Sequence, residues 1–377
     1  MDSTRANKIM MIRAAKFSSS NRHLAKMVKI AAPVVLCRPL QSAGQSTAQR
    51  ANTARMLTLF FIFMMAGTRV LAQQPNRMFK IGHLSGGTEA SRQPLIEAFR
   101  QAMQKFGYLE GQTLRIEGRF ADGKFERLPT LLQELLKWQP DVLLVSSTPA
   151  NLAAKAANLN IPIVMVGVAD PIGVGLIESL ARPGGNITGV TNIVAELAGK
   201  RLEILKETVG KLSRVAVIVN PADANAVIQL RNAEAAARAL KLQLQPVLNV
   251  RRAEDLSAAF ETATRARAQA AIRMVDPLGS VLRQETAGLA VKHNLPVIFP
   301  FREDVEAGGL ISYGTSLPDQ YRQCATFVHK ILKGTKPADL PVEQPMRFEF
   351  AINLKTANQI GLTIPPNVLA RADRVIR

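Results

Sequence analysis

The chain has 377 residues, of which 47% are hydrophobic and 20% are charged, with 48 lysines and arginines against 29 aspartates and glutamates. This composition excludes disorder for most of the chain, and the length predicts about two domains with cores large enough to fold without disulfides. The two cysteines, Cys37 and Cys324, are too few for a disulfide scaffold or for a zinc site of the Cys/His type.

The positive charge is concentrated at the N-terminus. Residues 1–74 hold 11 lysines and arginines and one acid, Asp2, a net charge of +10, whereas the other 303 residues carry +9. The basic residues are not interleaved with a series of aromatic side chains that could stack on bases, so we expect no nucleic-acid partner.

The end of this basic leader has the pattern of a signal peptide. A basic flank at Arg55 precedes the apolar residues 57–67, and a stretch with small residues follows at 70–72. Eleven apolar residues span about 16 Å as a helix, less than the bilayer core of about 30 Å. We therefore predict a leader with a cleavable signal peptide over 1–72, a start codon at or just before Met56, and a mature chain in the periplasm. The alternative is an N-terminus that stays anchored in the membrane.

After Pro75 the sequence alternates short apolar runs with longer amphipathic segments, which is typical of βαβ units and a parallel sheet. The first series predicts strands at 79–84, 113–120, 141–146, 161–166 and 187–190, with helices at 91–106, 126–137 and 149–159. A break over 182–186 opens a seam between the two halves at 185–197.

The second series repeats this alternation. It predicts strands at 214–219, 242–250, 270–275, 296–299 and 310–313, with helices at 224–240, 253–266 and 278–294. A proline-rich link, a strand at 347–353 and a helix opened by Pro365 and Pro366 complete the tail. Because the central strands are apolar almost throughout, helices should cover both faces of each sheet, which gives two doubly wound lobes.

Polar side chains follow several of these strands where each strand ends. In the first series they lie at 85–89, 146–149 and 167–171, and in the second at 220–223, 276–278 and 300–303. Ligands of open parallel sheets bind beyond the carboxyl ends of the strands, so these residues predict a site for a small polar molecule. Taken singly, each of five of them is better explained as a helix N-cap or turn former, and it is their joint placement at one edge that favours a site; they are Ser147, Thr148, Asp170, Asn220 and Asp276.

No motif predicts catalysis or a bound cofactor. The chain lacks GxGxxG, GxxxxGK[ST] and GxSxG in a strand-to-helix turn. Three histidines follow the leader, and His293 and His329 lie in helical segments far in sequence from any nucleophile elbow, whereas His83, near a strand end, could touch a ligand. We expect no enzyme activity, no cofactor and no metal, and a small buried hydrophobe at Cys324.

Five segments resemble the ABC transporter substrate-binding protein family, which includes tryptophan- and tyrosine-type binders. They are residues 170–190 (DPIGVGLIESLARPGGNITGV), 199–207 (GKRLEILKE), 305–314 (VEAGGLISYG), 330–334 (KILKG) and 353–357 (NLKTA), and the likeness extends over residues 79–376. The resemblance implies a type I periplasmic-binding-protein fold, in which two Rossmann-like α/β lobes are joined by crossovers and close on a ligand.

The same resemblance assigns lobes and a cleft. The first lobe would take residues 78–191 and 309–336, and the second 192–308 and 337–377. Carried over position by position, the ligand-binding residues would be Ser85, Gly86, Ser147, Thr148, Asp170 and Asn192 in the first lobe, Asn220, Asp276 and Glu303 in the second, and Tyr313 near a crossover.

The function that this implies is an exported solute-binding protein of an ABC importer, monomeric, that captures a small polar ligand by hinge closure and delivers it to an inner-membrane permease. An amino acid fits the mixture of carboxylates and helix N-termini, and a hydroxylated or amide ligand fits nearly as well. The alternative function is a ligand-sensing module of the same fold that signals to a membrane receptor or kinase.

Overall fold

The computed structural model describes residues 77–193 and 197–377, and the predicted leader and signal peptide lie outside these ranges. Within them, no helix combines the length and the apolar character that a membrane crossing requires. The described chain forms two sheets, each covered by helices on both faces. We call the five-stranded sheet with its helices the first lobe and the seven-stranded sheet with its helices the second lobe.

The first lobe is built on an all-parallel sheet with strand order β2-β1-β3-β4-β5. Its strands are β1 (Phe79–Ser85), β2 (Leu114–Phe120), β3 (Val142–Ser146), β4 (Ile163–Val168) and β5 (Ile187–Thr191). Its helices are α1 (Glu89–Lys105), α2 (Leu128–Lys137) and α3 (Thr148–Ala156). Every residue of β3 and β5 is buried, as expected for strands covered on both faces.

The second lobe has the strand order β12-β11-β10-β9-β8-β6-β7. Its strands are β6 (Arg214–Val219), β7 (Gln243–Asn249), β8 (Ala270–Arg273), β9 (Val297–Phe299), β10 (Ile311–Thr315), β11 (Phe348–Asn353) and β12 (Arg374–Ile376). All neighbouring pairs are parallel except β10 with β11.

Nine α-helices in the described chain follow β5. They are α4 (Ala198–Val209), α5 (Ala226–Ala239), α6 (Asp255–Arg265), α7 (Pro277–Val281), α8 (Arg283–Lys292), α9 (Arg302–Glu306), α10 (Leu317–Leu332), α11 (Leu354–Gln359) and α12 (Pro366–Leu369). The strands and helices that the sequence predicts are confirmed, with one helix divided: residues 278–294 form α7 and α8, which meet at Leu282.

Helix α10 belongs to the first lobe although it follows ten strands in sequence. Its buried residues, among them Cys324 and Phe327, share one core with Phe99 of α1 and Val164 of β4. Cys324 has no exposed surface, so the prediction that it is a small buried hydrophobe is confirmed. The chain therefore returns from the second lobe to the first just before Leu317.

The positions of the crossovers differ from the predicted lobe boundaries in two places. The prediction placed residues 309–315 in the first lobe, but β10 pairs with β9 and β11 of the second sheet. It also placed residues 337–346 in the second lobe, but Thr188 Oγ1 donates to the Leu340 carbonyl at 2.7 Å, and Glu343 forms a bridge with Val190 of β5. Backbone pairing thus puts the three crossovers after Thr191, after Thr315 and before Phe348.

Candidate functional site

A cavity of about 70 Å³ lies between the two lobes, lined by residues that follow β3 and β4 on one side and β6 and β8 on the other. A buried water needs roughly 10 to 15 Å³ on the same measure, so the cavity has room for a small organic molecule. Its place beyond the carboxyl ends of the parallel strands is the one at which open α/β sheets bind ligands.

Ser146 and Ser147 bring two hydroxyls to the cavity from the end of β3. Ser147 has a φ of 87°, a positive value that residues other than glycine rarely adopt. Both hydroxyl oxygens are buried and make no hydrogen bond within the described residues. These two hydroxyls lie at the N-terminus of α3. Strained backbone and buried hydroxyls without hydrogen bonds are expected at a site where a bound ligand supplies the hydrogen-bond partners.

Arg92 brings a buried positive charge to the same cavity. Its side chain is 7% exposed, and its Nε donates to Ser85 Oγ at 3.0 Å. Ser85 Oγ also accepts from the Gly87 amide at 3.1 Å, so Ser85 anchors Arg92 rather than facing the cavity. Burial lowers the pKa of Arg92, while the Tyr321 phenol and Glu303 act in the opposite direction.

Asp223 contributes a carboxylate from the second lobe. It lies in the turn between β6 and α5, and its Oδ1 accepts from the Asn225 amide at 2.8 Å. Burial, together with the neighbouring Asp276, raises the pKa of Asp223 to about 6, although hydrogen bonds from Asn225 oppose the shift. Keeping this carboxylate ionised while it is buried costs free energy. Such a group is expected at a site where a positively charged ligand group compensates for the lost hydration.

Asp276 is the second carboxylate of the cavity and also the N-cap of α7. Its Oδ1 accepts from the Gly279 amide at 2.8 Å, and its Oδ2 lies 3.4 Å from the Arg273 guanidinium. Burial raises the pKa of Asp276, whereas Arg273, these amides and the Asn220 side chain lower it. Asn220 lies behind Asp276 and accepts from the Ala222 amide at 3.0 Å.

The two lobes touch directly around the cavity. Asn225 Nδ2 of the second lobe donates to Thr148 Oγ1 of the first at 2.7 Å, and Arg92 Nη2 donates to Ser280 Oγ at 3.4 Å. A Cβ on Gly86 would lie 3.1 Å from Cβ of Pro277 in the opposite lobe. The described conformation therefore has its lobes closed on the cavity.

Four of the ten predicted ligand-binding residues line the cavity, namely Ser147, Thr148, Asn192 and Asp276. Asn192 is 3% exposed and donates from Nδ2 to the Gly167 carbonyl at 2.7 Å. Three more contact lining residues from behind. Ser85 bonds to Arg92, and Gly86 lies against Ser147 and Pro277. The Asn220 side chain interacts with Asp276.

The other three predicted residues lie elsewhere. Asp170 borders a separate groove and its Oδ1 accepts from the Gly173 amide at 2.8 Å, which is the turn-forming role. Glu303 is outside the lining, in the first turn of α9, and burial raises its pKa to about 7. Tyr313 packs against Phe348 and Phe350, with ring centroids 6.2 and 6.3 Å away. None of the three lines the cavity, which corrects the prediction, although Glu303 is close enough to Arg92 to raise its pKa.

Sequence reasoning missed several cavity residues because they lie on helices. Arg92 shares one face of α1 with Leu95, Phe99 and Met103, and Gln229 shares one face of α5 with Ala233 and Ala237. Gln320 and Tyr321 occupy the buried face of α10 in the same way. A polar residue on the apolar stripe, within the first turn or two of a helix that follows a strand, is the signal that could have identified them.

The described ranges contain no cluster of three or more histidine, cysteine or acidic side chains that could hold a metal ion. The charged and polar groups of the cavity instead suit a small molecule with both hydrogen-bond donors and acceptors. Arg92 supplies positive charge from the first lobe, and Asp223 and Asp276 supply negative charge from the second.

Comparisons with known proteins agree with this architecture. The family model described as ABC transporter substrate binding protein matches residues 88–376. A tyrosine-binding protein of Clostridioides difficile is 23% identical over 269 residues, which cover 71% of this chain and 76% of that protein.

Two crystal structures extend the likeness to three dimensions. A conserved domain protein of Vibrio cholerae is 26% identical with a TM-score of 0.74, covering 79% of this chain and 100% of that one. The ABC domain of a Streptococcus pneumoniae protein in complex with L-Trp is 24% identical with a TM-score of 0.72, over the same shares of the two chains. These neighbours confirm the predicted type I periplasmic-binding-protein fold.

Proposed function

Because this chain belongs to the ABC transporter substrate-binding protein family, we propose that it is the exported solute receptor of an ABC importer and that its ligand is an α-amino acid. One observation carries the choice of ligand: a buried arginine of the first lobe lines the same cavity as two buried carboxylates of the second. An α-amino acid carries the complementary pair of charges on neighbouring atoms. The tyrosine-binding protein of Clostridioides difficile and the Streptococcus pneumoniae domain in complex with L-Trp support the same class.

The ligand carboxylate is assigned to the first lobe. Arg92, the unpaired hydroxyls of Ser146 and Ser147 and the N-terminal amides of α3 are all donors or can donate. Charge-assisted hydrogen bonds of this kind are among the stronger interactions available to a carboxylate, and the positive end of a helix dipole adds to them. The positive φ of Ser147 fixes the direction of its Cα–Cβ bond, and so the side of the cavity on which its hydroxyl lies, before the ligand arrives.

The ligand ammonium is assigned to the second lobe. Asp223 and Asp276 are both desolvated, and Asp276 has one oxygen turned toward Arg273. A cation placed between them offsets their mutual repulsion and the cost of their burial. Since carboxylate and ammonium are held by different lobes, a ligand with both groups binds the closed form more tightly than the open form.

Hinge closure follows because the two charged groups of the ligand bind to different lobes. Three chain crossovers join the lobes, and the contacts Thr148–Asn225 and Arg92–Ser280 exist only while the lobes are closed. Ligand binding therefore shifts the population toward the closed shape, which the permease recognises. The protein acts without chemical conversion of its ligand, as a carrier in the periplasm.

A thermal-shift screen of the purified protein tests the proposal. The panel contains the twenty L-amino acids together with sugars, nucleosides and dicarboxylates. A true ligand at 100 times its Kd stabilises the protein by about 2.7 kcal/mol. Stabilisation by one or a few amino acids supports the proposal, and stabilisation by a sugar or nucleoside with none by an amino acid contradicts it.

Two arginine variants sharpen the screen. Arg92→Met removes the charge assigned to the ligand carboxylate and should abolish the stabilisation. The matched control is Arg214→Met in β6, whose guanidinium donates to the Ala266 carbonyl within the second lobe and does not line the cavity. Its response to amino acids should equal that of the wild type.

A further inference from the structure

We propose that His83, which lies beneath the cavity without lining it, is a positioning residue that turns the Tyr321 hydroxyl so that its proton points to the bound ligand. This inference rests on the proposed function, since it concerns how the same site holds an amino acid. His83 is thus assigned a role in affinity that its position in the core of the first lobe would not suggest.

The contact between the two side chains is direct and buried. His83 Nε2 lies 3.2 Å from Tyr321 Oη, and His83 has no exposed surface. The imidazole is held edge-on by Phe120 at 5.6 Å and by the Tyr321 ring at 5.9 Å between centroids. Tyr321 itself is 1% exposed and lines the cavity. Packing therefore fixes both rings in one relative orientation.

The imidazole is neutral in this environment. Burial, with a further contribution from the Arg92 charge, lowers the pKa of His83 to about 3. A neutral imidazole carries one N–H donor and one lone pair, on different nitrogens. The protonation state therefore reduces to one question, namely which nitrogen holds the proton.

The surroundings of Nδ1 answer that question. Nδ1 is buried and makes no hydrogen bond within the described residues. A proton on Nδ1 would leave a donor unsatisfied in the core beneath the cavity. A proton on Nε2 leaves a lone pair of Nδ1 without a partner and leaves the Tyr321 hydroxyl as the free donor, at the cavity lining where an acceptor can reach it, which is the smaller cost. Nε2–H therefore donates to Tyr321 Oη.

This donation determines what the Tyr321 hydroxyl can do. With a lone pair of Oη occupied by His83, the phenol proton is directed elsewhere, and burial raises the pKa of Tyr321 so that the proton is retained. The Ser146 hydroxyl is close enough to the Tyr321 phenol to lower its pKa, but the pair lacks full hydrogen-bond geometry, so the phenol proton has no fixed acceptor among the described residues. A ligand carboxylate oxygen in the cavity is the acceptor that completes the chain.

The first test needs no ligand. Long-range ¹H–¹⁵N correlation spectra of the unliganded protein at pH 7 report the tautomer of His83, which a His83→Phe spectrum assigns. The proposal requires a neutral ring protonated on Nε2. A ring protonated on Nδ1, or an imidazolium, overturns it whatever the protein binds.

The second test measures coupling in ligand affinity. Titration calorimetry with L-tyrosine as the probe compares wild type, His83→Phe, Tyr321→Phe and the double variant. We expect a loss of about threefold for His83→Phe and about tenfold for Tyr321→Phe, with the double variant no weaker than Tyr321→Phe. His329→Phe is the matched control, because His329 stacks on Phe106 away from the cavity.

The outcomes separate this inference from the proposed function. If His83→Phe only lowers the unfolding temperature and leaves affinity at the wild-type value, as expected for His329→Phe, the positioning role is wrong. Additive losses in the double variant contradict it as well. Failure of the wild type to bind any amino acid overturns the proposed function, and the tautomer measurement then still decides whether His83 orients Tyr321.

Discussion

Thr148 of the first lobe accepts a hydrogen bond from the side-chain amide of Asn225 in the second lobe, at 2.7 Å. Both residues line the cavity, and Thr148 is 4% and Asn225 3% exposed. A buried polar pair that spans two lobes is satisfied in this way only when the lobes are closed. The pair therefore links the free energy of closure to the occupancy of the site.

Replacing Thr148 with valine should weaken binding without unfolding either lobe. The variant keeps the shape of the side chain but leaves the buried Asn225 amide without its partner in the closed form, at a cost of about 1 to 3 kcal/mol. Calorimetry with the best amino acid should show a rise in Kd of about fivefold to 150-fold. Thr208→Val serves as the control, since Thr208 bonds only within α4. Equal affinity of Thr148→Val and wild type would contradict a closing role.

Gly86→Ala should hinder closure. Its new Cβ would lie 2.9 Å from Ser147 Oγ and 3.1 Å from Cβ of Pro277, a rigid ring in the other lobe. We expect an unchanged unfolding midpoint for the free protein, affinity lower by about tenfold, and a smaller decrease of the radius of gyration on ligand addition in X-ray scattering. Gly288→Ala, which meets nothing within 4 Å, is the control. Normal closure of Gly86→Ala would show that the lobes do not approach at Gly86.

Asp223 should make affinity depend on pH. Its pKa in the folded protein is raised to about 6, so below that pH a carboxylate assigned to the ligand ammonium becomes a neutral acid. Affinity should fall by about tenfold between pH 7.5 and 5. The free energy of unfolding of the unliganded protein should change with pH in the opposite direction. Because the pKa of Asp223 is raised in the folded state, its contribution to stability is greatest below about pH 4 and is lost as pH rises through about 6.

Calorimetry and thermal unfolding from pH 5 to 7.5 check both statements. Asp223→Asn should bind weakly at every pH, with a flatter pH profile. Asp276, which neighbours Asp223 and also has a raised pKa, remains in that variant and accounts for any residual slope. An Asp223→Asn profile as steep as that of the wild type would assign the titration to another group.

Asp170 should be dispensable for binding. Its carboxylate accepts a hydrogen bond from the Gly173 amide in its own turn, and it lies outside the cavity. Asp170→Asn keeps this turn and should match the wild type, while Asp170→Ala should lose about 1 kcal/mol of stability with unchanged affinity. Weakened binding in both variants, measured beside their unfolding midpoints, would return Asp170 to the site.

The fold could be predicted because local signals decide it. Strand β3, apolar from Val142 to Val145, and the amphipathic α1 predict a covered parallel sheet from sequence alone. The sheet to which β10 belongs could not be predicted, because its apolar pattern suits either lobe and only its pairing with β9 and β11 chooses between them. Crossover positions therefore depend on contacts that are distant in sequence.

Only the site residues that follow the ends of strands could be predicted from the sequence. Ser147, Thr148 and Asp276 were found because parallel strands gather their carboxyl ends at one edge. Arg92 and Tyr321 reach the cavity from helix faces, so strand ends could not reveal them. Asp170 was misplaced because a carboxylate at a strand end has two physical uses, ligand contact and turn formation, and the Gly173 amide decides for the second.

One calorimetric comparison tests most directly whether the two lobes hold the opposite charges of an amino acid. The purified wild-type protein is titrated with the amino acid that stabilises it most, with the amine that lacks its carboxylate, and with the acid that lacks its ammonium group. We expect the amino acid to bind and each truncated analogue to bind at least about tenfold more weakly, because the amine leaves Arg92 without a partner and the acid leaves the two aspartates without one. Equal affinity for either analogue, or the absence of amino-acid binding, would contradict it.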